Sequence, residues 1–115
     1  MVYAEDINIA YINLTRDGRI NVWHISIYIA LLHLWGKNKF KNPVPITRKL
    51  VMQLAHINSI ATYHKCVKQL EEFGYIHYAP NYNAFFGSAV TISIPENKYG
   101  LDFSIHILRP KNRSD

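Results

Sequence analysis

The sequence predicts an α+β fold, in which a helical core is joined to a small antiparallel sheet. At 115 residues the chain has the length of one domain, which is roughly 100–200 residues. Between residues 22 and 73, apolar side chains recur at spacings of three and four, the period of a helix. After residue 74, two short runs bounded by glycine and proline indicate strands. We therefore expect a single domain over residues 1–108 and a flexible, basic tail at 109–115.

The composition is that of a folded and mildly basic protein. Hydrophobic residues make up 49% of the chain and charged residues 18%, so the chain has enough apolar surface to fold. Lys and Arg number 13 and Asp and Glu number 8, which gives a net charge of +5 and a pI near 9.4. A basic balance favours polyanionic partners such as nucleic acids.

Three features predict a soluble, cytoplasmic protein with no membrane partner. Cys66 is the single cysteine, which excludes an internal disulfide and a cysteine-based zinc finger. Residues 1–8 include two acids and lack the basic start and apolar stretch of a signal peptide. The longest apolar stretch, residues 22–35, is interrupted by polar side chains and is too short to span a bilayer.

Two helices are expected in the first third of the chain. Residues 4–14 fit a helix, which we prefer, although their partial alternation also leaves a strand open. The apolar face of that helix would consist of Ile7, Ala10, Tyr11 and Leu14. A second helix is expected over residues 22–35, with Asn21 as its N-cap and Gly36 as its C-cap. Its apolar side chains are Ile25, Tyr28, Leu32 and Trp35, with Ile29 and Leu31 beside them.

Two further helices follow a polar, basic loop at residues 37–45. Thr47 caps the first, over residues 48–55, and its inward residues are predicted to be Leu50, Val51 and Leu54. After a break at His56-Ile57-Asn58, the second helix runs over residues 59–73, capped by Asn58 or Ser59 and ended by Gly74. Its buried stripe would be Tyr63, Val67 and Leu70, with Cys66 nearby.

The last third of the chain carries strand patterns. Residues 75–79 and 89–94 are predicted as strands, each halted by a proline, with a loop at 81–88 between them. In residues 101–108 apolar and polar side chains alternate cleanly, which indicates a third strand with one apolar face. That strand would either join the sheet or pair with another chain.

Two consecutive helices joined by a short break and followed by a hairpin form a winged helix-turn-helix, with the helix at 22–35 supporting them. The segment from residue 59 to residue 76 resembles the recognition helix and first wing strand of many bacterial winged-helix proteins. The matching positions are Ser59, Thr62, Val67, Leu70, Glu71, Glu72, Gly74, Tyr75 and Ile76. With the upstream residues, the resemblance covers about residues 20–94. This part of the chain is similar to the N-terminal winged-helix domains of phage-type replisome organisers and to small regulators of plasmids and conjugative elements.

The charge distribution favours a surface that faces phosphates. No acidic residue occurs between Gly18 and Leu70. Each phosphate that a cation neutralises releases counterions, so such a segment suits DNA, although a solvated basic face would look the same. The outward, DNA-contacting residues of the helix that begins at Ser59 are predicted to be Ser59, Ile60, Thr62, His64, Lys65 and Lys68. Cations that would hold the DNA backbone are Arg48, Lys49, Lys37, Lys39 and Lys41, the last three on a loop that Phe40 anchors.

The loop at 81–88 is the predicted wing, and it carries no Lys or Arg. Its candidate contact residues are Tyr82, Asn83, Phe85 and Phe86. Aromatic side chains there would stack on unpaired bases, contact a protein partner, or fold back onto the core.

Catalytic and metal-binding patterns do not emerge from the sequence. His24 and His33 are nine residues apart, and His56 and His64 are eight apart, so neither pair has the one-turn spacing of two ligands on one helix. There is no glycine-rich phosphate loop, no paired-carboxylate motif and no nucleophile elbow. We expect a protein that is not an enzyme and needs no cofactor.

The leading functional hypothesis is a sequence-specific or structure-specific DNA-binding protein. It would be a transcription regulator or a DNA replication accessory of a mobile element, with the helix that begins at Ser59 in a major groove. A homodimer, joined through residues 101–108 or 4–14, would read two half-sites. The alternative is an adaptor without DNA binding that takes a protein partner through residues 81–88.

Overall fold

A computed structural model describes residues 4–80 and 87–93 of the chain. Those residues form four helices and a three-stranded antiparallel sheet, which confirms the α+β class. The elements in chain order are α1 (Ala4–Arg16), α2 (Val22–Lys37), β1 (Val44–Ile46), α3 (Arg48–Ala55), α4 (Ile60–Glu72), β2 (Ile76–Ala79) and β3 (Ser88–Ile92). The predicted strand at 101–108 and the predicted tail at 109–115 lie outside the described residues. Within the described ranges, no helix is long and apolar enough to cross a membrane.

Helix α2 forms the centre of the core. It packs against α3, α4 and the sheet, and its largest inward side chains, Ile27, Tyr28, Leu31 and Trp35, are at most 1% exposed. Asn21 caps the helix as predicted, because its side-chain oxygen accepts hydrogen bonds from the backbone N–H groups of Trp23 and His24.

Two details of the predicted α2 are wrong. The helix does not stop at Gly36 but continues to Lys37, and Asn38 is the C-cap. The backbone N–H of Asn38 donates to the carbonyl of Leu34, so the helix ends two residues later than predicted. Ile29 does not lie beside the core but is 48% exposed, because the buried stripe is centred on Ile27 and Leu31 instead.

The segment Ala4–Arg16 forms helix α1, so the alternative of a strand at 4–14 is excluded. Its buried side chains are Ile9, Ala10 and Leu14, and the last two join the core around α2. Tyr11 was expected on the same face but is 40% exposed. The helix therefore contacts the core along a narrower stripe than its apolar residues predicted.

The short helix α3 also turns differently from its predicted orientation. Val51 and Ala55 are its buried residues, whereas Leu50 and Leu54 are each 38% exposed. The hydroxyl of Ser26 in α2 donates a hydrogen bond to the carbonyl of Ala55, which holds the end of α3 against α2. With that end fixed, one narrow face of the helix meets α2, and both leucines lie on the same side of that face.

The sheet has the strand order β1-β3-β2, and β1 is an element that the sequence did not predict. Residues 37–45 were expected to be a loop because they end in Pro-Val-Pro. Pro45 lies opposite Ala89, at a position whose N–H group would face away from β3, so the ladder does not need it. Val44 and Ile46 alternate with it and are buried.

Side chains complete the sheet at both of its outer strands. The amide of Asn42 continues the β1 ladder, since its Oδ1 accepts from the N–H of Ile92 and its Nδ2 donates to the carbonyl of Ile92. On the other side, the N–H of Tyr78 in β2 donates to Oε2 of Glu71 at 3.0 Å. That carboxylate oxygen also lies 3.3 Å from Nδ1 of His77.

A polar cluster joins the turn after α1 to the turn after α4. Nε and Nη2 of Arg19 donate to the carboxylate of Asp17 at 2.9 and 2.6 Å, and the hydroxyl of Tyr75 donates to Oδ2 of Asp17 at 2.7 Å. The guanidinium of Arg19 also lies 4.1 Å from the centre of the Phe73 ring. The hydrogen bonds from Arg19 and then Tyr75 hold the pKa of Asp17 well below its usual range. Burial, followed by the contact with Asp17, raises the pKa of Tyr75 to about 12.

We predict that Asp17→Asn lowers the free energy of unfolding by about 1 kcal/mol at neutral pH, the usual contribution of such hydrogen bonds. Because the pKa of Asp17 is lower in the folded chain, its contribution is present above the unfolded pKa of about 3.9 and is lost as the pH falls below it. Urea unfolding at a series of acidic pH values should therefore show a smaller acid-dependent loss in the variant. Glu72→Gln, at an exposed carboxylate, is the control and should keep the wild-type pH dependence.

We also predict that Asn42→Ala lowers the free energy of unfolding by about 1–3 kcal/mol, because it leaves both backbone groups of Ile92 without partners. Thermal and urea unfolding measure the change. Asn58→Ala removes the same side chain from an exposed position and should stay within about 0.5 kcal/mol of wild type. Equal stabilities for the two variants would contradict a structural role for Asn42.

Candidate nucleic-acid interface

Helix α4 is the predicted DNA-contacting helix, and its inward stripe is confirmed. Tyr63, Cys66, Val67 and Leu70 are all buried against the core. Of the two predicted caps, Ser59 is the one used, because its hydroxyl accepts from the N–H of Thr62 at 3.1 Å. Burial also raises the pKa of the Cys66 thiol, which suits a packing role rather than a nucleophilic one.

A buried histidine fixes the rotation of α4 relative to α2. His24 is 1% exposed and uses both of its ring nitrogens. Nδ1 accepts from the backbone N–H of Asn21 at 2.9 Å, so the proton lies on Nε2, which donates to Oε1 of Gln69 at 2.7 Å. The sequence indicated only that this histidine was on the surface or satisfied; its partner in α4 is 45 residues away and left no local signal.

The face of α4 opposite its buried stripe is exposed and carries two lysines. Lys65 and Lys68 are three residues apart, so they lie on one side of the helix and point away from Leu70 and the core. Ala61, one turn before Lys65, has a small side chain, so little projects from this face near the start of the helix.

Most of the predicted contact residues of α4 are in fact exposed. The structure leaves Ser59, Ile60, His64, Lys65 and Lys68 open to solvent. Thr62 is half-buried instead, because it flanks the buried stripe one turn before Cys66. It is therefore a poor candidate for a direct contact with a ligand.

An open groove lies between α3 and the start of α4, and it brings together three of the predicted site residues. Arg48 and Lys49 line it from α3, and Ile60 lines it from α4. The groove has a volume of about 730 Å³ and no carboxylate in its lining. Its other lining residues are Met52, Gln53, His56, Ile57 and Asn58.

The groove owes its shape to the sharp end of α3. His56 is the C-cap and has a left-handed backbone conformation, with φ of 58°. The chain turns there, Ile57 is buried, and α4 begins at Ile60. The polar side chains Gln53, His56 and Asn58 make no hydrogen bond or ion pair with any residue in 4–80 or 87–93, so they remain available to a ligand.

The three lysines of the turn after α2 are exposed but do not reach this groove. Lys37 ends α2, and Lys39 and Lys41 follow it. Phe40 anchors the turn as expected, since its ring packs edge-on against Trp35 with the ring centres 5.2 Å apart. The lysines therefore form a second basic region, separate from the groove lining.

The predicted wing residues Tyr82, Asn83, Phe85 and Phe86 lie outside the described residues. The structure does describe the position where that loop enters β3. Gly87 has φ of 66°, and a Cβ on it would lie 2.7 Å from the carbonyl oxygen of Ile46 and 3.4 Å from Cγ2 of Thr47. Gly87 is thus packed closely against the N-cap of α3, next to Arg48.

No group of three or more His, Cys, Asp or Glu side chains in 4–80 and 87–93 is placed to hold a metal ion. A comparison of the chain with protein-family models, curated proteins and solved structures finds no match.

We predict that Gly87→Ala lowers the free energy of unfolding by about 1–3 kcal/mol, because a side chain at this backbone conformation is strained and collides with Ile46. Gly18→Ala is the matched control, since nothing lies within 4 Å of the added methyl group. Urea unfolding should show a loss for the first variant alone. Similar stabilities would show that the approach of Gly87 to β1 is not tight.

Proposed function

We propose that the chain is a winged-helix DNA-binding protein. The observation that carries the proposal is the exposed cationic surface of α3 and α4, formed by Arg48, Lys49, Lys65 and Lys68. The order of the elements supports it: α3 and α4 are consecutive, a short break separates them, α2 supports them, and β2 and β3 follow. The net charge of +5 has the sign that DNA requires.

In this proposal α4 enters a major groove of the DNA. Lys65 and Lys68 follow one phosphate strand, and Arg48 and Lys49 at the start of α3 bind the backbone beside it. Residues 81–86, which precede Gly87 in the chain, act as the wing. Two copies would bind two half-sites as a homodimer.

The biological role in this proposal is regulation of transcription or assistance to DNA replication in a mobile element, in the cytoplasm. The support is the resemblance of residues 20–94 to replisome organisers and small mobile-element regulators. The lysines that follow α2 extend the basic surface and would contribute to affinity for any sequence.

We predict that Lys65→Glu with Lys68→Glu abolishes binding to duplex DNA. The reason is that two phosphate contacts become repulsions on the face that meets the groove. Fluorescence anisotropy with labelled random duplex, across a salt series, measures the affinity. Neutral substitution of both lysines to alanine should lower the slope of log affinity against log salt by about two.

Arg16→Glu is the control for net charge. It reverses one positive charge, as the single variant Lys68→Glu does, but the reversed charge lies on α1. We expect DNA binding to be much weaker in Lys68→Glu than in Arg16→Glu. If both charge reversals weaken binding equally, the effect is one of net charge, and α4 is not the contacting helix.

The alternative function, a protein-binding adaptor, is favoured by a different observation. Val22, Trp23 and Ile29 of α2 are 68%, 51% and 48% exposed, which is unusual for large apolar side chains. A wild-type protein that binds neither duplex nor single-stranded DNA at low salt would support this alternative over the first proposal.

A further inference from the structure

We propose that the groove between α3 and the start of α4 recognises A·T base pairs by their major-groove edges. This inference rests on the proposed function, and it names which base pair that function would select. It depends on three properties of the groove: its free amide side chains, its apolar side chains and its lack of Phe, Tyr and Trp.

Two free amides supply the polar part of the recognition. The side chains of Gln53 and Asn58 line the groove, are exposed, and make no hydrogen bond with the described residues. A side-chain amide offers one donor and one acceptor side by side. Adenine presents the complementary pair, N6 as donor and N7 as acceptor, whereas guanine presents two acceptors there.

Apolar side chains supply the second part. Ile60 is 48% exposed at the first position of α4, and Met52 and Ile57 lie behind it in the groove lining. The methyl group of thymine is the apolar feature of the major groove, and it belongs to the same base pair as the adenine edge. The mixture of amides and apolar side chains therefore matches both halves of an A·T pair.

The composition of the groove also favours a paired base over an unpaired one, since the imidazole of His56 is the one ring in its lining. Proteins that bind unpaired bases stack them on aromatic rings. None of the eight lining residues is Phe, Tyr or Trp. The groove is also open rather than enclosed, so a base edge can lie against it but a flipped base would find no walls. Arg48 and Lys49 begin α3 and would hold the adjacent phosphates.

The test compares duplexes of equal length and identical flanks, whose central segment is A·T or G·C. Wild-type protein should bind the A·T duplex about fivefold or more tightly, the lower limit for one good bidentate contact. Replacing thymine by uracil removes only the methyl group and should cost about fourfold. Replacing adenine by 7-deazaadenine removes the N7 acceptor and should lower the affinity for the duplex further.

Variants assign these preferences to residues. Ile60→Ala should bind the thymine and uracil duplexes equally, and Gln53→Ala with Asn58→Ala should lose the preference for adenine over 7-deazaadenine. Lys37→Ala, outside the groove, should weaken all duplexes alike. Because the three mutated groove residues are exposed, thermal unfolding should confirm that each variant keeps the wild-type fold.

The outcomes separate the two proposals. Tight binding to every duplex without base preference, or a preference unchanged in the groove variants, would overturn the assignment of the groove and leave DNA binding intact. Failure to bind any duplex at low salt would overturn the proposed function itself.

Discussion

The burial of α2 is the constraint on which the other elements depend. Its side chains Ile27, Tyr28, Leu31 and Trp35 are nearly inaccessible to water, and the half-buried Ile25, Leu32 and Leu34 widen its apolar surface on both sides. One neighbouring element cannot cover so wide an apolar surface, so α3, α4 and the sheet must all pack around it. The outer faces of α3 and α4 are then left to solvent, and these are the faces that carry the cations.

Packing alone does not fix the direction in which α4 presents its lysines. The buried ring of His24 restricts that direction, because its hydrogen bond to Gln69 is satisfied at one rotation of α4 only. The same histidine accepts from the N-cap of its own helix, so the start of α2 and the end of α4 are fixed together. Lys65 and Lys68 consequently point away from the core, and neither side chain forms a hydrogen bond or ion pair with residues 4–80 or 87–93.

The sequence predicted features that depend on residues close together in the chain. The caps Asn21, Thr47 and Ser59 were predicted correctly, since each accepts from backbone amides two or three residues away. Features that depend on distant neighbours were missed. Leu50 looks like a core residue until the position of α2 is known, and the strand Val44–Ile46 exists because β3 pairs with it. The groove could not be predicted from the sequence either, because its lining comes from two helices and the turn between them.

The side chains at the edges of the sheet also limit how copies of this protein can associate. A sheet with open edges grows by taking strands from other molecules, which leads to swapped dimers or fibres. Here Pro45 offers no N–H on the outside of β1, and the outward N–H of Tyr78 on β2 is already bound to Glu71. The described sheet is thus a poor template for a foreign strand. Copies that meet at high concentration would contact one another through side chains instead, a mode of contact that stays reversible.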